Sequence, residues 1–149
     1  MSTPRIANVF TVDPAELIES LAEKLKTYSE INPPLESKYW KTSCAKEFPP
    51  EDSELFWFIR SASLLRKLAI KQNLGVRRLR KIYSSNQKKG HNPSHSRPAA
   101  GKIIRRCLQQ LEKAGLVNTI EGIGRKLTPE GQSLIDKVAH ELHRAKSGE

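Results

Sequence analysis

A chain of 149 residues is long enough to bury a sizeable core as one domain, so Cys44 and Cys107 are not needed as a covalent staple. Those two cysteines stand 63 positions apart, match no metal-ligand spacing, and predict reduced thiols in a cytosolic or nuclear protein. A formal net charge of +10, with no apolar run suited to a signal peptide or a membrane span, predicts a soluble intracellular protein with a polyanionic partner and no membrane role.

Asp13-Pro14-Ala15-Glu16 predicts a helix start, with Asp as cap, Pro at the first helical position and Glu reaching back from the third. Leu17, Leu21, Ala22, Leu25 and Tyr28 then form one apolar stripe, and the helix ends before Pro33-Pro34. Residues 36–48 carry Tyr39 and Trp40 among Lys38, Lys41 and Lys46, and read as a short helix or an extended arm. Trp40 either anchors this arm to the core or stacks on a base or sugar.

The pillar of the chain is a helix predicted from about Glu54 to Lys71. Pro49-Pro50 breaks what precedes it, Asp52 and Ser53 offer caps, and Asn73 and Gly75 suit a left-handed stop. Leu55, Phe58, Ala62, Leu65 and Ala69 share one face, and Trp57, Leu64 and Leu68 form a second apolar strip. Arg60, Lys67 and Lys71 lie almost opposite the first face. A helix apolar over most of its circumference is surrounded by other elements.

Val76, Leu79, Ile82 and Tyr83 predict a short helix whose remaining sides are covered by Arg77, Arg78, Arg80 and Lys81. Residues 84–98, with Asn86, Gly90, Asn92, Pro93 and Pro98, read as an irregular basic loop carrying Lys88, Lys89, His91, His95 and Arg97. Residues 99–114 predict a helix with Ile103, Ile104, Cys107, Leu108 and Leu111 inward, and Gly115 stops it. Residues 116–120 and 125–127 read as strands about a turn at 121–124. Thr128-Pro129-Glu130 starts a last helix with Leu134, Ile135, Val138, Ala139 and Leu142 inward.

Helix, short helix, helix, two-stranded wing and helix is a winged-helix order. The predicted class is mainly α: a helical bundle around a central amphipathic helix, winged-helix-like with a small two-stranded β-hairpin. Residues 1–149 form one predicted domain, with an N-terminal helix and arm at 13–48 and a winged-helix-like core at 53–143.

Charge is distributed unevenly along this scaffold. The 57 residues from Leu55 to Leu111 contain no Asp or Glu but 14 of the 26 Lys and Arg, while the rest of the chain holds 12 basic and 16 acidic residues. Solubility alone would scatter both signs; a single-sign block points to a polyanionic partner, nucleic acid first and an acidic membrane surface second. Catalytic readings fail on composition. His91 and His95 lack a carboxylate or thiol pair for metal, Ser94-His95 lacks an orienting acid, and Gly122-Ile123-Gly124 joins two strands rather than a strand to a helix. The expectation is a protein that is not an enzyme and needs no cofactor or metal.

Lys81, Lys88, Lys89, Arg97, Lys102, Arg105 and Arg106 are predicted around one end of the 99–114 helix, and seven phosphate contacts would give a log–log salt slope of about −5 to −6. The pillar's Arg60, Arg66 and Lys67, the short helix's Arg77 and Arg78, and the wing's Arg125 and Lys126 complete the candidate set. Arg60 or Arg66 has an alternative role, bracing backbone carbonyls inside the bundle. A winged-helix DNA-binding transcription regulator would place 99–114 in a major groove. The long basic segment before that helix opposes a tight-turn entry and better suits irregular RNA.

The runs Lys81-Ile82-Tyr83, Pro93-Ser94-His95, Arg105-Arg106 with Leu108-Gln109, and Gly124-Arg125-Lys126-Leu127-Thr128-Pro129 resemble the small-subunit ribosomal protein of the eukaryotic and archaeal S-nineteen-e family. So does the pillar, with aromatic residues before Arg60 and then Ala62, Ser63 and Arg66. Ser84-Ser85 stands where two glycines are expected, and Ser96 where an aromatic is expected. The resemblance implies a helical bundle on ribosomal RNA in the head of the small subunit, among neighbouring small-subunit proteins. It also implies a role in late maturation of the small-subunit rRNA with pre-ribosome assembly factors, hence nucleolar passage before residence on cytoplasmic ribosomes. RNA contacts carry over to Arg60, Arg66, Lys81, Arg105 and Arg106.

Overall fold

The computed structural model describes residues 7–147. Helix α1 spans Pro14–Leu25, and Asp13 Oδ2 accepts from the amides of Ala15 and Glu16 at 3.1 and 3.3 Å. Its predicted stripe is buried through Leu17, Leu21, Ala22 and Leu25, with Tyr28 half-buried beyond it. Glu16 does not reach back to the cap. It pairs instead with Lys146 at 2.6 Å, tying the first helix to the last.

The arm contains a 3₁₀ turn, Leu35–Tyr39, and then runs irregularly to Pro50, with a single bridge from Ser43 to Ala99 and a turn at Cys44-Ala45. Trp40 is half-buried, its ring centroid 6.2 Å from that of Trp57, so this side chain anchors the arm.

Helix α2, Ser53–Ile70, is capped by Asp52 Oδ1, which accepts from Leu55 N at 3.0 Å. It packs against α1, the arm and the elements that follow. The second apolar strip is buried throughout, and the first only at Ala62 and Leu65. Trp57, Ser61, Ala62, Leu64, Leu65 and Leu68 are buried, whereas Leu55 is 43% exposed and Phe58 and Ala69 are only half-buried. Trp57 takes the central place because its indole Nε1 donates to Gln110 Oε1 at 2.7 Å, whose Nε2 donates to Asn32 O at 2.6 Å. Beyond the helix, Asn73 adopts φ 61, while Gly75 is extended and carries no left-handed turn.

Helix α3, Val76–Ile82, buries Leu79 and leaves Ile82 exposed. Residues 84–98 then depart from the expected irregular loop. Strands β1, Ser85–Lys89, and β2, Asn92–Arg97, pair antiparallel around Gly90-His91, with Gly90 at φ 53 in the conformation that a two-residue hairpin turn requires. Both strands lack an apolar face, so the alternation that normally reveals a strand was absent.

Helix α4, Gly101–Lys113, buries all five predicted positions, Ile103, Ile104, Cys107, Leu108 and Leu111. The wing follows as β3, Val117–Ile120, and β4, Gly124–Leu127. Leu74 and Arg125 exchange backbone hydrogen bonds at 3.1 and 3.0 Å, which adds a one-residue third strand to the wing. Helix α5, Pro129–Ser147, starts where Thr128 Oγ1 accepts from Gly131 N at 3.1 Å. It turns Ile135, Val138 and Ala139 fully inward, with Leu134 and Leu142 at the core margin. The architecture is mainly helical and winged-helix-like, with the β1–β2 hairpin as a second hairpin beside the wing.

Candidate nucleic-acid interface

Helix α4 buries one stripe, and helical spacing sends Lys102, Arg105 and Arg106 to its opposite side, where all three are exposed. Lys88, Lys89 and Arg97 are exposed on the hairpin, and Arg77, Arg78 and Lys81 on α3. The three α3 cations line a cleft of about 330 Å³ with Asn73, Gly75 and the wing residue Ile123, which itself is 58% exposed. Lys126 is exposed on the wing, whereas Arg125 is half-buried, its Nε shielded and without a hydrogen-bond partner among the described residues.

The pillar's cations are placed differently. Arg60 is half-buried, its guanidinium carbon 4.2 Å from the Tyr83 ring centroid and 5.0 Å from that of Phe56. Arg60 thus packs within the body, but against aromatic rings rather than the backbone carbonyls that the alternative expected. Arg66 and Lys67 are also half-buried, and Arg66 Nε lies shielded without a partner. The exposed candidate cations are therefore those of the hairpin, α3 and α4 and Lys126 of the wing, whereas Arg60, Arg66 and Lys67 of α2 are half-buried.

Composition explains the electrostatics of that surface. Among the described residues, Lys102 is the one candidate cation with a carboxylate within reach, Glu36 at 3.9 Å, and both side chains are more than half exposed. A pair that long and that wet holds little charge in check. Lys102 Nζ also rests 4.1 Å above the Trp40 ring. The other exposed candidate cations have no counter-charge within reach among the described residues, an arrangement suited to phosphate, with the arginines able to make forked contacts.

Sequence reasoning missed Arg80 as a positioning residue. Its Nε donates to Ala99 O at 2.8 Å, and its carbonyl accepts from Ala99 N at 3.0 Å, so it joins the end of α3 to the start of α4. A Cβ on Gly101 would meet the Arg80 side chain at 3.2 Å, so the glycine makes room for this clamp. The available signal was a lone arginine on the apolar side of a short basic helix.

Titratable groups near the site are buried rather than activated. Burial pushes the Cys107 thiol up to about 12, against smaller opposing effects of Ser61 and Arg60. Burial likewise raises Tyr83, partly offset by its 2.7 Å hydrogen bond with Ser63 and by Arg60. Cys44 is exposed.

The sequence model for ribosomal protein S19e matches residues 8–145. The chain belongs to the ribosomal protein S19e family. It is 41% identical over 139 residues to the small ribosomal subunit protein eS19 of Aeropyrum pernix, covering 92% of this chain and 90% of that one. Against the protein of the same name from Haloarcula marismortui it is 42% identical over 142 residues, covering 92% of each. With that of Entamoeba histolytica the identity is 36% over 138 residues, 93% of this chain and 88% of the relative. The S19e match spans the hairpin as well as the winged-helix elements.

Proposed function

We propose that this chain is a structural constituent of the small ribosomal subunit, acting as one domain that binds ribosomal RNA in the subunit head. The observation that carries the reading is the set of exposed cations on α3, the hairpin and α4, of which Lys102 alone has a carboxylate within reach among the described residues, in a chain of the S19e family. Lys81, Lys88, Lys89, Arg97, Lys102, Arg105 and Arg106 would contact phosphates directly, joined by Arg77, Arg78 and Lys126. Arg60, Arg66, Lys67 and Arg125 would contribute chiefly by shaping the body that presents them. Binding is by charge and shape, without chemistry of the chain's own and without a cofactor.

On this reading the protein meets neighbouring small-subunit proteins and assembly factors, supports maturation of the small-subunit rRNA, and passes through the nucleolus before working on cytoplasmic ribosomes. Sedimentation of a cell extract on sucrose gradients at moderate and then high salt tests it. The chain is expected to travel with small subunits and to survive moderate salt. Sedimentation as free protein, with retention on chromatin, would replace the reading with a winged-helix DNA regulator, for which the outward cations of α4 would enter a major groove.

A further inference from the structure

The β1–β2 hairpin is the largest feature that the core does not use. A two-stranded ribbon is marginal in water unless something supports it, and here the support is confined to the root. Ala100 N donates to Thr42 O at 2.7 Å, and Ser43 Oγ donates to Pro98 O at 3.2 Å. The outermost hydrogen bond to the body runs from Gln87 Nε2 to Cys44 O at 3.5 Å. Beyond it, Lys88, Lys89 and every residue of β2 are exposed, so among the described residues nothing covers the outer ribbon.

Register sorts the side chains into two faces. Ser85 opposes Arg97 and Gln87 opposes His95, so these four share a face, and Gln87 Oε1 accepts from Arg97 Nε at 3.1 Å across it. Asn86 and Ser96 oppose each other on the reverse face. The register then shifts, because Pro93 and Ser94 together stand against Lys88 before Lys89 meets Asn92. Continued alternation along β1 puts Lys88 with Asn86 and Lys89 with Gln87. Each face thus carries a lysine and further hydrogen-bonding groups, and neither carries a carboxylate.

A ribbon laid on one surface keeps one packed face and one solvated face. This ribbon has two faces of the same cationic, polar kind. It lacks the apolar row that a protein partner would bury. The major groove of A-form RNA is too narrow for side-chain entry, and the minor groove is shallow and meets a single face. The space that satisfies both faces lies between two RNA segments.

We infer that the β1–β2 hairpin inserts between two segments of ribosomal RNA and bridges them, with Lys88 facing one and Lys89 and Arg97 facing the other. The inference deepens the rRNA reading above and rests on it.

A tethered hydroxyl-radical source tests it in small subunits that have incorporated the full chain. On a Cys44→Ser background, the reagent is attached at His95→Cys on one face and at Ser96→Cys on the other, with Cys107 buried and out of reach. The expected result is strand cleavage in two rRNA segments distant from each other in secondary structure, one per face. Cleavage confined to one segment from both positions would overturn bridging and leave the ribosomal reading standing. The same holds if neither position cleaves RNA in subunits that carry the protein. Failure of the unmodified chain to enter subunits would overturn both. As a second readout, Lys88→Gln with Lys89→Gln should lower the log–log salt slope of rRNA binding by about 1.5, and an unchanged slope would count against insertion.

Discussion

The Arg60 guanidinium stands 4.2 Å from the centroid of the Tyr83 ring, and the hydroxyl of that ring meets Ser63 Oγ at 2.7 Å. Arg60 and Ser63 are both on α2, so Tyr83, at the end of α3, is held from two points one turn apart. Phe56, one turn earlier on α2, backs the same guanidinium at 5.0 Å. An arginine at an expected RNA contact therefore has its aromatic partners inside the protein.

Arg60→Gln should lower stability by about 1–2 kcal/mol through loss of cation–π contacts at a half-buried site. Arg105→Gln, at an exposed position, should leave the urea midpoint within experimental scatter and weaken RNA binding. Denaturation and RNA-binding measurements on both variants check this division. An unfolding effect from Arg105→Gln and none from Arg60→Gln would reverse it.

Trp57→Ala should cost about 3–5 kcal/mol, the range for a large buried aromatic. Phe58→Ala, half-buried, should cost less than half as much. Trp57→Phe keeps most of the volume but leaves Gln110 Oε1 without its donor, at about 1–3 kcal/mol. Equilibrium denaturation of the three variants should rank them in the order Trp57→Ala, Trp57→Phe, then Phe58→Ala or level with it.

Gly131→Ala should destabilise by about 1–3 kcal/mol through overpacking, because the added methyl would press on the Leu116 carbonyl and the Leu127 side chain. Gly124 is constrained in two ways, by φ 132 and by the Leu74–Gly75 backbone, which a Cβ would approach to 2.9 Å. Thermal unfolding of Gly124→Ala and Gly131→Ala should show lowered midpoints, while Gly75→Ala, with open space around it, should stay near the parent.

Cys107 and Tyr83 hold their protons more tightly in the folded chain than in the unfolded one. The folded state then binds more protons above their ordinary values, so stability falls as pH rises. For Cys107 the window runs from 9.0 to about 12, and for Tyr83 it opens above 10.0. Urea midpoints measured across this range should decline, less steeply in Cys107→Ala. A thiol reagent at neutral pH should modify Cys44 alone until the chain is unfolded.

Local chemistry was readable wherever a few adjacent residues decide the outcome. Asp13-Pro14 and Thr128-Pro129 start helices through their own side chains, and α4 shows a single apolar stripe that leaves one choice of face. The face of α2 was harder because apolar residues nearly encircle it. Its true inward side depends on Gln110, which is 53 positions from Trp57 in the chain. The hairpin was hidden for the opposite reason: its strands bury no apolar side chain, and pairing is a backbone property that polar side chains do not announce. Among the candidate cations, the exposed members on α3, the hairpin and α4 were legible from charge pattern. The recessed place of Arg60 was open only as one of two roles, since the rings around it come from both α2 and α3.

The reciprocal hydrogen bonds between Arg80 and Ala99 bring together the two ends of the segment that holds the hairpin. Past Tyr83, which still packs on α2, the chain leaves the body and returns to it at a single doorway. The ribbon can therefore be lengthened, trimmed or exchanged for a foreign sequence without asking α3 or α4 to move. That makes residues 86–96 a natural graft point, where a reporter peptide could ride on this protein while its helical body folds as before.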